Sequence, residues 1–256
     1  MKTKFKRIAA YMIDMIIVSV IVFGLSNIKQ VNYQADNYDR VSKEYQNYVK
    51  KYEKVENNYN KAKNDYKEKK INKKQYSDKK NEYNEYKKDY EKKIKKYNYN
   101  ISKNSVISTI ISMAIVIAYF AIFQFSLGGQ TLGKKIMKLR VVKAKEKELN
   151  IFNYLIRCAI LNGVIVNLLL VIFVNTLDVN SFYMANYIVS NIQSIIEIVI
   201  IIMIFMTNDS RGLHDYIAGT KVIEIDSLGN EIDKSTEEIE YIYLRKKVKK
   251  EKNNSK

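Results

Sequence analysis

Four stretches of this chain are almost free of charge, and each is long enough to cross a bilayer. They are IAAYMIDMIIVSVIVFGLS (8–26), SVISTIISMAIVIAYFAIFQFSL (105–127), IFNYLIRCAILNGVIVNLLLVIFVNTL (151–177) and YIVSNIQSIIEIVIIIMIFM (187–206). The hydrocarbon layer is ~30 Å thick, which a helix crosses in about 20 residues. No water completes stray backbone hydrogen bonds there, so such segments must close their own, as helices do. The pattern predicts an all-α membrane protein with four transmembrane helices. The first, with a basic N-terminal segment, occupies 1–27; the others occupy 105–127, 151–177 and 184–206. Between and after them lie an insert over 28–104, a Gly-rich loop over 128–150, a short loop near 178–186 and a tail over 207–256.

Residues 1–26 open with Lys2, Lys4, Lys6 and Arg7, as a secretory signal does. Asp14 interrupts the apolar run, and the run is long for a signal core, so a retained span is expected. The single Cys158 excludes an internal disulfide and reads as a small apolar core residue. With no Pro in the chain, the spans are expected to lack proline kinks.

The 128–150 loop contains G-x-x-x-x-G-K at Gly128, Gly133 and Lys134. A phosphate-cradling loop follows a buried strand and places a hydroxyl after its lysine to hold Mg²⁺. Here Lys135 follows, and 23 uncharged residues precede, so the stretch reads as a turn where a helix leaves the bilayer. That loop also carries seven basic residues, and the N-terminus four. The positive-inside rule puts both, and the tail, in the cytoplasm, with the insert outside. The insert is itself basic, with 21 Lys/Arg against 12 Asp/Glu over 31–104, but long loops cross largely regardless of charge.

The insert has a strict rhythm. Tyr38, Tyr45, Tyr52, Tyr59 and Tyr66 recur every seven residues, and Val41, Tyr48, Val55 and Ala62 follow three behind. A second phase runs Tyr76, Tyr83, Tyr90, Tyr97. Two a/d seams out of phase predict two helices. Asn72 and Gln75 are spaced to form a capping box on the second. The expected form is an extracytoplasmic antiparallel coiled-coil hairpin reversing near 70–73; pairing of the seam with a second copy or a protein partner is the other use open to it. A solvated spacer would not keep that register, and neither would a nucleic-acid stacking surface, so no nucleic acid is expected.

Ionisable residues in spans are costly and face the bundle interior. Asp14 lies six residues into the first span and Arg157 six into the third, so equal depth predicts that they pair. Arg7, two turns from Asp14, overhangs the same place, and Glu197 lies near mid-membrane in the fourth span. Arg7, Asp14, Arg157 and Glu197 thus form a candidate intramembrane charge site. Two uses stay open: a path for cations or protons, and glue between helices. After the last span comes NDSRGLHDYIAGTKVIEID. Its His214, the only histidine, with Asp209 and Asp215 is too few ligands for zinc. No metal, cofactor or catalytic residue is expected, and no enzyme, because no nucleophile–base pair appears. KLRVVKA and TKVIEI alternate polar and apolar residues and predict a small cytoplasmic β-ribbon, with Lys and Glu on its wet face.

Three stretches together, KRIAAYMID (6–14), GGQTLGKKIMKLRVV (128–142) and DSRGLHDYIAGTKVI (209–223), resemble the RDD family of bacterial membrane proteins, named for one arginine and two aspartates. Arg7 and Asp14 match its first pattern. Gly129, Thr131, Gly133 and Lys134 match its glycine turn, and Arg211, His214, Asp215, Ala218 and Gly219 its last stretch; Asp209 opens the same run. Arg157 looks like the arginine often found in the following span. The insert of 31–104 departs from the family's short outer loop. The resemblance implies a multi-pass protein of the bacterial cell membrane with both termini cytoplasmic. It also implies transport, some members being similar in activity to sodium/proton antiporters. A small cation or proton transporter, or its accessory, is one expectation; a non-catalytic surface protein that uses its hairpin for interaction is the alternative.

Overall fold

The computed structural model describes residues 2–145 and 148–232, so the tail expected over 207–256 lies outside the described residues beyond 232. Helix α1 (Lys2–Ser26) is followed by α2 (Ala35–Lys67), α3 (Lys73–Asn104) and α4 (Val106–Ile117). A wider π turn (Ala118–Phe123) and α5 (Gln124–Ser126) continue α4. Then come α6 (Leu132–Ile136), β1 (Leu139–Lys143), α7 (Ile151–Leu161), α8 (Val164–Thr176), α9 (Val179–Met206), α10 (Leu213–Ala218) and β2 (Thr220–Glu224). Three stretches, Thr3–Ser26, Val106–Ser126 and Val179–Met206, are long and apolar enough to cross a membrane; the paired α7 and α8 make a fourth if counted as one span.

That pair corrects the single straight rod expected over 151–177. The two helices meet at 64°. Gly163 sits at the break with φ +63°, a conformation that side chains disfavour and glycine adopts freely. A Cβ there would come within 3.3 Å of the Gln193 amide. A chain without proline bends where glycine permits it. The fourth helix also begins earlier than expected, at Val179 rather than near 184. The Asp178 carboxylate accepts hydrogen bonds from the Asn180 N–H at 2.9 Å and the Ser181 hydroxyl at 2.6 Å, which winds the expected loop into the helix.

The described residues form two compact units. One gathers Ile17–Tyr119 and Cys158–Val199. Within it α2 and α3 lie antiparallel, each about 50 Å long by the helical rise. Their seam is a ladder of tyrosine rings. Tyr52 stacks on Tyr90 at 4.0 Å between centroids, Tyr59 on Tyr83 at 4.6 Å and Tyr66 on Tyr76 at 4.9 Å. Val41 and Ala62 are buried in the same seam. The Tyr48 hydroxyl donates to Asp89 at 2.8 Å. Burial, then that carboxylate, pushes the Tyr48 phenol above its ordinary pKa. Asn72 caps α3 in the reciprocal manner its spacing foretold: its Oδ1 accepts from the Gln75 N–H at 2.9 Å, and its own N–H donates to Gln75 Oε1 at 3.0 Å. At the other end of α3, Tyr99 packs edge-on against the buried Phe182 of α9. Cys158 is buried, its thiol directed at the Val116 carbonyl.

The other unit gathers Met1–Ile16, Phe120–Arg157 and the chain from Ile200 onward. Its centre is a two-stranded antiparallel ribbon, with Leu139 opposite Glu224 and Lys143 opposite Thr220. Leu139, Val141, Thr220 and Val222 are buried on one side, as the alternation demands. The expected wet face needs one change. The Glu224 side chain is nearly buried, holding Lys6 at 2.7 Å and accepting from the Thr3 hydroxyl. The start of α1 is thereby fastened to the ribbon.

Candidate functional site

Asp215 lies at the heart of this second unit and is fully buried. It sits in the first turn of α10, where Gly212 precedes the helix. The Gly212 N–H donates to its Oδ2 at 3.1 Å. Arg7 donates to the same oxygen at 2.6 Å and, through its other arm, to the Ser210 carbonyl. Arg157 donates to Oδ1 and to the Thr220 hydroxyl at 2.6 Å. The Thr220 hydroxyl in turn lies 3.2 Å from Oδ1. One carboxylate therefore joins α1, α7, α10 and the start of β2. Two guanidiniums facing one carboxylate leave a local charge of +1.

His214 is buried beside them, its Nε2 3.3 Å from Asp215 Oδ2. Burial, then Arg157, Arg7 and Lys134, pushes its pKa well below the ordinary value, so the ring is neutral. Its Nδ1 has no hydrogen-bond partner among the described residues.

Asp14 is also fully buried, but its partners come from the glycine turn. The Thr131 hydroxyl donates to Oδ2 at 2.5 Å, and the Gly133 N–H to Oδ1 at 2.7 Å. A Cβ on Gly133 would stand 2.8 Å from the Asp14 carboxylate and collide with the Ala10 carbonyl. Only glycine lets the turn come this close to α1. Gln124 closes the other side, donating to the Gly129 carbonyl at 3.1 Å while accepting from the Gly129 N–H through its backbone carbonyl at 2.9 Å. Gly129, at φ +95°, leaves room for the Tyr154 hydroxyl and the Val141 carbonyl. The N–H of Gly133 that a phosphate loop would offer is thus already spent on a carboxylate of the chain itself.

Lys134 reaches toward the same carboxylate, with Nζ 3.9 Å from Asp14 Oδ2 and 5.8 Å above the Phe120 ring. Burial brings its ammonium down to about 7; Asp14 opposes that shift, and Arg157 and Arg7 add to it.

Arg7, Arg157, Arg211, His214 and Asp215 gather around α10, and Arg211 stacks 4.0 Å over Tyr216 while donating to the Thr220 carbonyl at 2.8 Å. Asp14, Gly129, Thr131, Gly133 and Lys134 form the glycine-turn cluster. The ion pair expected between Asp14 and Arg157 is replaced: Arg157 pairs with Asp215, and Asp14 with Lys134. Equal depth gave no azimuth, and the Arg157 side chain turns to Asp215. Asp209 sits at the half-exposed rim, 3.6 Å from Arg211. Glu197, in the other unit, is exposed on α9 and accepts from Gln193 of its own helix at 2.8 Å. Sequence reasoning missed Thr220, Ser210 and Asn153, whose amide donates to the Ala218 carbonyl at 2.9 Å. The first two stand inside the stretch DSRGLHDYIAGTKVI, but neither was singled out from it.

Several helices long and apolar enough to cross a bilayer define a multi-pass membrane protein. The chain belongs to the RDD family, whose model matches residues 3–219. That span includes the insert of 31–104 as well as all the buried arginines and aspartates described above. No curated protein matches the chain. No solved structure matches it either.

Proposed function

We propose that this RDD-family protein is a non-catalytic anchor that holds a rigid, basic coiled coil outside a bacterial cell membrane for a partner of acidic character. The observation that carries this reading is the tyrosine ladder, because such an ordered seam along about 50 Å of paired helix is far more than a linker needs. Its outer faces are lysine-rich, so a partner of opposite charge is favoured, and with long-range steering that salt screens. The orientation that goes with this reading has the N-terminus and the glycine turn in the cytoplasm and the hairpin outside, and the seven basic residues of the 128–150 loop support it. The buried arginines and aspartates act as glue in this reading, since each carboxylate is already saturated by hydrogen bonds within the chain.

Transport of a cation or proton is the second reading. It is favoured by Lys134, a buried ammonium near neutrality next to Asp14. Proteoliposome flux separates the two. The anchor reading expects no pH-gradient-driven ion movement, together with a discrete adduct when a photo-crosslinking residue replaces the exposed Lys88 in intact cells. Flux that Asp14→Asn abolishes would overturn it in favour of transport.

A further inference from the structure

The positive charge of the insert is gathered at one end of it. Residues 61–80, where the chain reverses, hold nine lysines against Asp65, Glu68 and Asp78, whereas residues 31–60 balance at five basic and five acidic side chains. All nine lysines are exposed. Lys70 pairs with Glu68 at 2.6 Å and Lys79 with Glu82 at 2.8 Å; the other seven have no ion pair among the described residues. The frame beneath them is ordered. The Lys70 N–H donates to the Asp65 carbonyl at 2.8 Å and the Lys69 N–H to the Tyr66 carbonyl at 3.1 Å, which closes α2, with Lys69 at φ +59°. Asn72 then caps α3, and Tyr66 stacks on Tyr76 across the reversal. Lysines of α2, of the reversal and of α3 are thereby held together on one convex tip.

We infer that this tip binds an extended, flexible polyanion. Three other occupants fit it worse. The headgroups of the chain's own bilayer are out of range, because the 32 residues of α3 put about 48 Å of helix between the tip and α4, and salt screens charge within about 8 Å. A small anion needs a concave site, and nine fully displayed side chains form none. The centre of a protein contact is rich in arginine and aromatic rings and poor in lysine. Residues 61–80 contain no arginine, and their exposed Tyr66 ring is already stacked. A polyanion asks for something else. Its binding strength comes from the number of cations that release its counterions, not from a fitted surface. Lysine, a hydrated point charge on a flexible stem, suits a ligand whose charges shift. The inference does not rest on the partner proposed above, since a polymer held at the tip leaves the sides of the hairpin, with Lys88, free.

The test uses the full chain in nanodiscs of neutral lipid, with fluorescent long-chain polyphosphate as the probe and anisotropy as the readout across a salt series. The variant with Lys69→Gln, Lys70→Gln, Lys73→Gln and Lys74→Gln should bind at least about tenfold more weakly at 0.1 M salt. Its log–log salt slope should be shallower by about three, at roughly 0.7 per lysine lost to a flexible strand. Removing the same number of charges midway along the hairpin, with exposed Lys50, Lys51, Lys87 and Lys88 all changed to Gln, should alter affinity by less than about twofold, because those positions lie beyond the screening length from the tip. Retained amide protection along α2 and α3 shows that both variants keep the hairpin. Equal losses in the two variants overturn the tip as the site. Tripolyphosphate bound as tightly as the long chain overturns the polymer, and no binding by the native chain overturns both.

Discussion

Replacing Asp215 by Asn should do more damage than any other single change in the buried charges. In the native fold two guanidiniums, on Arg7 and Arg157, share that one carboxylate, and both are buried with it. Removing one member of a buried ion pair leaves an unmatched charge at a cost of about 3–5 kcal/mol. Asp215→Asn strands two, so its cost should reach or exceed the upper end of that range. Arg157→Leu is milder, because it leaves Arg7 and Asp215 as a matched pair. Its loss is the hydrogen bond to Thr220 and a vacated side-chain site, about 1–3 kcal/mol. The decisive quantity is the coupling. In an Arg157→Leu background Asp215→Asn strands only Arg7, so the double variant should be more stable than the sum of the singles by about 1–3 kcal/mol. Asp14→Asn should show no such rescue with Arg157→Leu, because Asp14 is held by Thr131 and Gly133. Denaturant unfolding in detergent micelles of the four-member cycle measures this. Strict additivity of Arg157 and Asp215, or a rescue that runs through Asp14, would refute the assigned pairing.

Lys134→Met should flatten a pH dependence. The folded lysine titrates at about 7 and its ordinary value is 10.5, so between the two the unfolded chain holds more protons, and stability should rise with pH across that window and stay level below it. Thermal midpoints of wild type and variant from pH 6 to 10 give the comparison; an unchanged slope would place the ammonium in water. Gly133→Ala should lower stability by more than about 2 kcal/mol, since its Cβ meets backbone at Ala10 and the Asp14 carboxylate together, and expression of folded protein reads it out. Tyr52→Ala should cost the hairpin about 1 kcal/mol beyond lost area, visible as faster amide exchange in α2 and α3 with none in α10.

Much of this was legible from one sequence, for physical reasons. Spans are dictated by length and the absence of charge, and the ribbon by alternation on either side of glycine turns. Asn72 and Gln75 specified their cap through spacing alone. What was not legible depended on geometry that spacing does not encode. The bend at Gly163 turns on one backbone torsion that only glycine adopts freely. The start of α9 at Val179 turns on Asp178 acting as a cap. The pairing of Arg157 with Asp215 joins residues 58 positions apart, and a one-dimensional depth argument selects Asp14 just as readily. Glu197 joined the same candidate charge site as an ionisable residue within a span, whereas its azimuth on α9 leaves it exposed.

The most direct measurement is the sidedness of the hairpin against the glycine turn. Single cysteines replace the exposed Ser77 in α3 and the exposed Lys135 in α6, in a Cys158→Ala chain, and intact cells meet a membrane-impermeant thiol reagent. The anchor account predicts rapid labelling at position 77, and labelling at 135 only after the membrane is opened. Equal protection or equal labelling of both positions would put the hairpin and the turn on one side and contradict it.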